Sequence, residues 1–172
     1  PIAMYLSDIM TIPVNMAGLL YALPNTQLSR RYKVEGRLHD NFDVQTEGEG
    51  DQCTSGINYD PCRPRADILN DYLTVVETIY KPENYFNRVL RVGLKLDSAH
   101  RHYKPSLKRQ VRELGAFAKM ATRMTKNEAT RGPFWKTFLT ALRKNPRSIR
   151  YTMSMIALYL HFGPFSKFVG ER

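Results

Sequence analysis

Prolines divide the C-terminal two thirds of the chain into segments of helical length. Proline is tolerated in the first turn of a helix and interrupts the hydrogen bonds of a helix interior. Between these prolines the apolar residues recur every three or four positions, as Ile68, Tyr72, Val75, Val76 and Ile79 do. Because this is the spacing of one helix face, the pattern predicts a region of amphipathic helices.

Five helices and one turn are predicted in this region. Their boundaries follow from the prolines. The aromatic side chains of the fourth helix are expected in the core of this helical region. The predicted helices cover residues 66–80, 82–92, 105–126, 132–144 and 146–162, and Gly163-Pro164 predicts a last short turn.

The N-terminal part reads as a single strand, a turn and a helix. Residues 14–23 form an apolar run typical of a buried strand, and Pro24 cannot continue a β-ladder. Asn25 or Thr26 can cap the next helix, which is predicted to run to about Val34 and to stop at the following glycine. A lone strand is not a stable fold. We therefore expect an extended segment without strand neighbours, belonging to a larger domain.

A long acidic loop separates the two parts. Residues 39–65 show little apolar periodicity, and loops of this length are usually functional or disordered. Residues 1–62 carry a net charge of −4 and residues 63–172 a net charge of +14, within a total of +10. This asymmetry indicates an acidic region followed by a basic helical one.

The two cysteines, Cys53 and Cys62, both lie in this loop. A disulfide between them is one alternative, and free intracellular thiols are the other. Their spacing fits no zinc site, and His39, His100 and His102 add no ligand pattern. The sequence therefore predicts no metal site in this chain.

Residues 12–172 resemble the C-terminal part of cobalamin-binding-domain radical S-adenosylmethionine proteins. In that family a strand of the type V-x-L-L-x-A-L-P leads into P-[GN]-T-[PQ]-L-x-x-R-L-x-x-E-G-R. This chain has Ala17-Gly18-Leu19-Leu20-Tyr21-Ala22-Leu23-Pro24-Asn25-Thr26-Gln27-Leu28, then Arg31 and Glu35-Gly36-Arg37. Asn25 and Gln27 replace the commoner Gly and Pro of the motif.

The resemblance implies a fold and a division into domains. It implies a mostly α chain that begins with the last strand–loop–helix unit of a partial (β/α) barrel. Residues 1–38 would be the end of the radical S-adenosylmethionine barrel, residues 39–65 an acidic connecting loop, and residues 66–172 a helical C-terminal domain of about five helices. The upstream barrel and a cobalamin-binding domain of the same chain would be its partners.

The resemblance also implies cofactors and candidate site residues. The full-length parent would use S-adenosylmethionine, a 4Fe-4S cluster and cobalamin, none of which this fragment would bind alone. The cofactor-side turn would consist of Leu23, Pro24, Asn25 and Thr26, with Asn25 also readable as a plain turn residue or helix cap. The loop residues Asp51, Gln52 and Cys53 could face substrate, and Cys53 is a catalytic candidate with a buried structural thiol as the alternative.

A segment near the N-terminus has a competing local similarity. Residues 4–19 are similar to part of the amidase-signature family. That family would continue into an apolar Ser-Val-Pro strand and would carry a Gly/Ser-rich stretch with catalytic serines. Neither feature is present in this chain, so the radical-enzyme resemblance is preferred.

The enzymatic expectation is the C-terminal segment of a radical methyltransferase acting on an unactivated carbon, with a hopanoid-type lipid as one substrate. The alternative is a non-catalytic basic helical module that docks on a membrane, nucleic acid or a protein. Residues 101–126 hold eight basic residues and one acidic residue, Glu113. A solvated helix face is one interpretation of these residues, and binding to an anionic membrane surface is another. Nucleic acid is not expected, because aromatic residues for base stacking are few.

Location and chain ends complete the expectations. No basic flank or long apolar core follows Pro1, so we expect no signal peptide. Since Pro1 replaces an initiating methionine, we expect the native N-terminus to lie upstream. We expect a cytoplasmic protein, with peripheral attachment to the inner face of the membrane as the alternative.

Overall fold

The computed structural model describes residues 12–39, 57–96 and 106–170. Six α-helices occupy most of these residues, and none of the residues described belongs to a strand. The predicted fold class, mostly α with five helices after residue 64, is confirmed. The helices are α1 (Gln27–Val34), α2 (Arg65–Tyr80), α3 (Pro82–Lys95), α4 (Leu107–Lys126), α5 (Glu128–Lys144) and α6 (Ile149–Gly170), with a 3₁₀ turn at Pro146–Ser148.

Backbone contacts divide these residues into two compact units. The N-terminal unit comprises residues 16–39, 57–77 and 167–170. The helical unit comprises residues 12–15, 78–96 and 106–166. The predicted domain boundaries at residues 38 and 65 remain predictions.

Helix α1 has the predicted cap and stop signal. The Thr26 hydroxyl oxygen accepts a hydrogen bond from the Ser29 amide at 3.2 Å, which satisfies one free N–H of the first turn. The helix ends before Gly36, whose φ of +66° lies in the left-handed region that favours glycine. These two residues fix both ends of the helix, as the sequence predicts.

Residues 14–23 are not paired as a strand in the described part of the chain, which agrees with the expected lack of strand neighbours. A strand needs a neighbouring strand for its backbone hydrogen bonds. Instead, the buried Asn58 side chain bonds both backbone groups of Ala22. Its amide accepts a hydrogen bond from Ala22 N at 2.9 Å and donates one to Ala22 O at 3.0 Å. These are the two bonds that a paired residue on an antiparallel strand would make.

Both Gly-Pro pairs lie inside helices, which corrects two predicted boundaries. Helix α5 begins at Glu128, before Gly132-Pro133. Helix α6 continues through Gly163-Pro164 to Gly170, so the predicted last short turn is wrong. A proline ring disfavours helical geometry at the preceding residue partly by clashing with its Cβ. Glycine has no Cβ, and the helix therefore tolerates the proline that follows it.

The helical unit has a closely packed centre. Tyr85, Phe86, Val89, Phe134 and Ile156 are at most 1% exposed, and α3 packs along α5. The buried tyrosine hydroxyls are paired with backbone carbonyls: Tyr85 donates to Met155 O at 2.7 Å. These bonds remove the cost of burying the polar tip of each ring.

One contact in this unit is very close. A Cβ added to Gly93 of α3 would lie 2.7 Å from Thr152 Oγ1 of α6. Thr152 is completely buried. The absence of a side chain at position 93 therefore sets how closely the two helices approach.

Helix α6 is the most apolar of the six helices. No helix in the described ranges is long and apolar enough to cross a membrane.

Candidate functional site

The turn at residues 23–26 is closed by its own hydrogen bonds. The Thr26 hydroxyl donates to Leu23 O at 2.7 Å, and the Thr26 amide donates to the same carbonyl at 3.3 Å. Leu23 is 43% exposed, and Pro24 and Asn25 are exposed beside it. The turn therefore presents an apolar pair and an amide on the surface of the N-terminal unit.

Asn25 has the conformation of a turn residue. Its φ of 63° is left-handed, which asparagine tolerates better than most residues. Its neighbour Thr26 caps the helix, so the cap alternative for Asn25 does not apply. The Asn25 amide makes no hydrogen bond within the described residues and is available to an external polar group.

A second polar cluster of the N-terminal unit surrounds Arg37. Its guanidinium lies 4.7 Å from the centre of the Tyr32 ring. That ring packs at a tilt of 34° against Tyr59, with ring centres 4.4 Å apart. Arg37 Nε also donates to Asp60 O at 2.8 Å. Burial, as the largest effect, raises the pKa of Tyr59. Sequence reasoning missed this cluster, because its contacts join segments more than twenty residues apart in the chain.

The predicted loop residues Asp51, Gln52 and Cys53 lie outside the described residues. Cys62 is exposed and free, with its sulfur 3.5 Å from Arg37 Nη2. In the ranges described, no three His, Cys, Asp or Glu side chains lie close enough to hold a metal ion. An iron–sulfur cluster needs several cysteine thiolates, and the described residues do not fit one.

A groove in the helical unit brings the basic and apolar segments together. Side chains of α4, side chains of residues 147–160 and Phe138 of α5 line it. Glu113 of α4 bridges two of the helices, because it accepts from Arg109 Nε at 2.9 Å and from Arg150 Nη2 at 2.6 Å. The Arg109 bond and then the Arg150 bond hold the pKa of Glu113 below its usual value.

Comparison with known proteins gives a family and a distant relative. The profile of DUF4070, described as a domain of unknown function, matches residues 26–172. A Synechocystis sp. protein named as an uncharacterized methyltransferase is 33% identical over 160 residues. That stretch is 93% of this chain and 29% of the relative, so the chain spans less than a third of the relative's length. No solved structure matches the chain.

Proposed function

The chain belongs to the DUF4070 family, and on that basis we propose that it is the C-terminal segment of a cobalamin-dependent radical S-adenosylmethionine methyltransferase. One observation carries the proposal: almost the whole chain matches part of a much longer protein that is named as an uncharacterized methyltransferase. The sequence motif at residues 17–37 supports the radical class. The substrate class is proposed to be an unactivated carbon centre, for example in a lipid.

The turn at residues 23–26 is the part of this chain proposed to meet the cofactor. Leu23 and Pro24 offer apolar surface to an adenine ring, and the Asn25 amide can donate to or accept from a nucleoside. Thr26 holds the turn in shape through its two bonds to Leu23 O. In barrel enzymes, loops that follow the strands carry the binding and catalytic groups.

The radical chemistry itself is proposed to reside elsewhere in the parent protein. When bound, an iron–sulfur cluster with S-adenosylmethionine and cobalamin would supply the radical and the methyl group. This chain is proposed to contribute a binding surface, and its described residues offer no set of cluster ligands. The barrel and the cobalamin-binding domain of the same parent are therefore its proposed partners.

The parent protein provides the test. It would be purified without oxygen and incubated with methyl-labelled S-adenosylmethionine and a reductant. We expect bound iron and turnover of the cofactor. The Cys62→Ser variant should retain the same iron content, because exposed Cys62 belongs to no ligand set among the described residues. A parent protein that binds no iron and leaves the cofactor intact would contradict the proposal.

A non-catalytic docking module is the second candidate, favoured by the first turns of α4. Leu107, Val111 and Leu114 are 79%, 71% and 68% exposed, and their spacing puts them on one helix face. A large exposed apolar stripe is typical of an interaction surface. We expect Leu107→Glu with Val111→Glu to abolish co-elution with the separately purified upstream domains, and Lys136→Glu, on exposed α5 surface, to leave it unchanged. Unchanged co-elution of the double variant would exclude this face as the docking surface.

A further inference from the structure

The groove described above, called here the α4–α6 groove, is open to solvent along α4. Its α4 side chains run from Arg109 to Lys126, a distance of about 25 Å at ~1.5 Å per residue. On α6 the side chains that line the groove extend to Leu160. The groove is therefore long enough to hold an extended chain molecule.

The floor of the groove is apolar. Leu114, Phe117 and Met120 follow one another at three-residue spacing on α4, and Met153 and Ala157 face the groove from α6. Phe117 packs on Phe138 of α5 with ring centres 5.0 Å apart. Because the floor aromatics pack on each other, they are poorly placed to stack on bases. The floor suits aliphatic chain better than nucleic acid.

The rim of the groove is positively charged. Six cations and one carboxylate, Glu113, line it. Glu113 is already bound by Arg109 and Arg150. The other four cations have no carboxylate partner in the part of the chain that the structure describes. These are Lys119, Arg123, Lys126 and Arg147.

We propose that the α4–α6 groove binds a single lipid molecule with an anionic headgroup. The apolar floor covers the chain of the lipid, and the rim cations neutralise the carboxylate or phosphate of its head. A free phosphate ion would use the cations and leave the floor exposed, and a neutral lipid would use the floor and leave the cations unpaired. Only an amphipathic anion matches both features. The inference is independent of the radical chemistry proposed above.

Dodecyl phosphate, below the concentration at which it forms micelles, is the probe for this inference. Trp135 is the single tryptophan, and its ring centre lies 5.9 Å from that of the groove residue Phe138. Its fluorescence therefore reports binding. We expect saturable one-to-one binding. Dodecyltrimethylammonium and inorganic phosphate should bind at least about tenfold more weakly, since each matches only one feature of the groove.

Two pairs of variants separate the groove from the rest of the surface. Neutralising two groove cations with the double variant Arg123→Gln and Lys126→Gln should weaken binding about tenfold, because two charge contacts are lost. Neutralising the exposed cations of α5 outside the groove, Arg131→Gln with Lys136→Gln, should leave it unchanged. Ala157→Phe fills the floor and should also weaken binding, whereas Ala118→Phe, exposed on α4 outside the groove, should not.

The outcomes decide the inference in both directions. Selective weakening by the groove variants, with unchanged circular dichroism, supports a lipid site. Equal weakening by groove and control variants overturns it. So does retention on anionic vesicles without binding of monomeric dodecyl phosphate, because that result assigns the cations to a membrane surface. Equal affinity for inorganic phosphate reduces the site to an anion site and also overturns the proposal.

Discussion

In the helical unit, Tyr85, Phe134 and Ile156 are fully buried, whereas in the N-terminal unit Leu20 is 59% and Met16 is 86% exposed. The first unit encloses these central side chains among helices, although the stripe of Leu107, Val111 and Leu114 on α4 stays exposed. The second holds its backbone with polar contacts, such as the two bonds between Asn58 and Ala22, and leaves apolar surface open. A unit of the second kind is suited to completion by other parts of a protein. This is the role that the proposed function gives it.

Removing a central ring should have the largest effect on the helical unit. Phe134→Ala should lower the free energy of unfolding by about 3–5 kcal/mol, because the ring is completely buried and its loss leaves a cavity. Leu139→Ala on the same helix, 49% exposed, is the matched control and should cost about 1 kcal/mol or less. Urea unfolding measures both. Similar losses of unfolding free energy for the two variants would show that Phe134 does not lie in a closed core.

Asn58→Ala should destabilise the N-terminal unit by about 1–3 kcal/mol, because it leaves the buried N–H and C=O of Ala22 unpaired. Hydrogen exchange at the Ala22 amide measures the effect, and exchange at Val89 in the helical unit should not change. Asn58→Asp keeps an acceptor for Ala22 N and loses the donor for Ala22 O, so it should protect the amide only in part. Full protection of Ala22 in Asn58→Ala would show that another group replaces the side chain.

A methyl group at position 93 tests the close helix approach in the helical unit. Gly93→Ala should destabilise by about 1–3 kcal/mol, because its Cβ would meet Thr152 Oγ1 at 2.7 Å. Thr152→Ala removes that oxygen and should restore much of the loss in the double variant. Gly115→Ala, whose Cβ would meet no atom within 4 Å, should stabilise its helix by about 0.5–1 kcal/mol. A destabilised Gly115→Ala, or no rescue by Thr152→Ala, would contradict the packing explanation.

The smallest expected effect concerns the bridge between α4 and α6. Because the pKa of Glu113 is lowered in the folded chain, the carboxylate stabilises the fold above its unfolded pKa. That contribution is lost as pH falls through the lower folded pKa. The Glu113→Gln variant should therefore be less stable than the unmodified chain at pH 7, and the two stabilities should converge in acid. Thermal unfolding across pH would measure this difference. A difference that is constant with pH would exclude the charge as its cause.

Much of the fold follows from local chemistry that the sequence displays. The Thr26 cap, the Gly36 stop and the five helical segments depend on residues near one another in the chain. The two wrong boundaries arise where Gly132 and Gly163 precede prolines, since the missing Cβ lets a helix continue. The apolar run at residues 14–23 predicts a strand, but strand pairing depends on partners that are distant in the chain, and the described residues supply none.

The sites depend on contacts that are distant in sequence. The basic stretch of α4 and the apolar stretch of α6 are each visible in the sequence, but only the fold shows that they line one groove. Asn58 carries no motif and is identified only by its distance from Ala22. The turn at residues 23–26 was identified through a resemblance. The structure adds that its apolar pair and its amide are exposed together.

The affinity of the parent protein for S-adenosylmethionine tests the central claim most directly. Isothermal titration calorimetry would compare Asn25→Ala with Asn70→Ala, a control that removes an exposed asparagine amide from helix α2. Losing one polar contact should cost Asn25→Ala about 1–2 kcal/mol of binding free energy, or roughly 5- to 30-fold in Kd, and Asn70→Ala should bind as the parent does. Equal affinities of the parent and both variants would contradict the account and leave Asn25 as a turn residue alone.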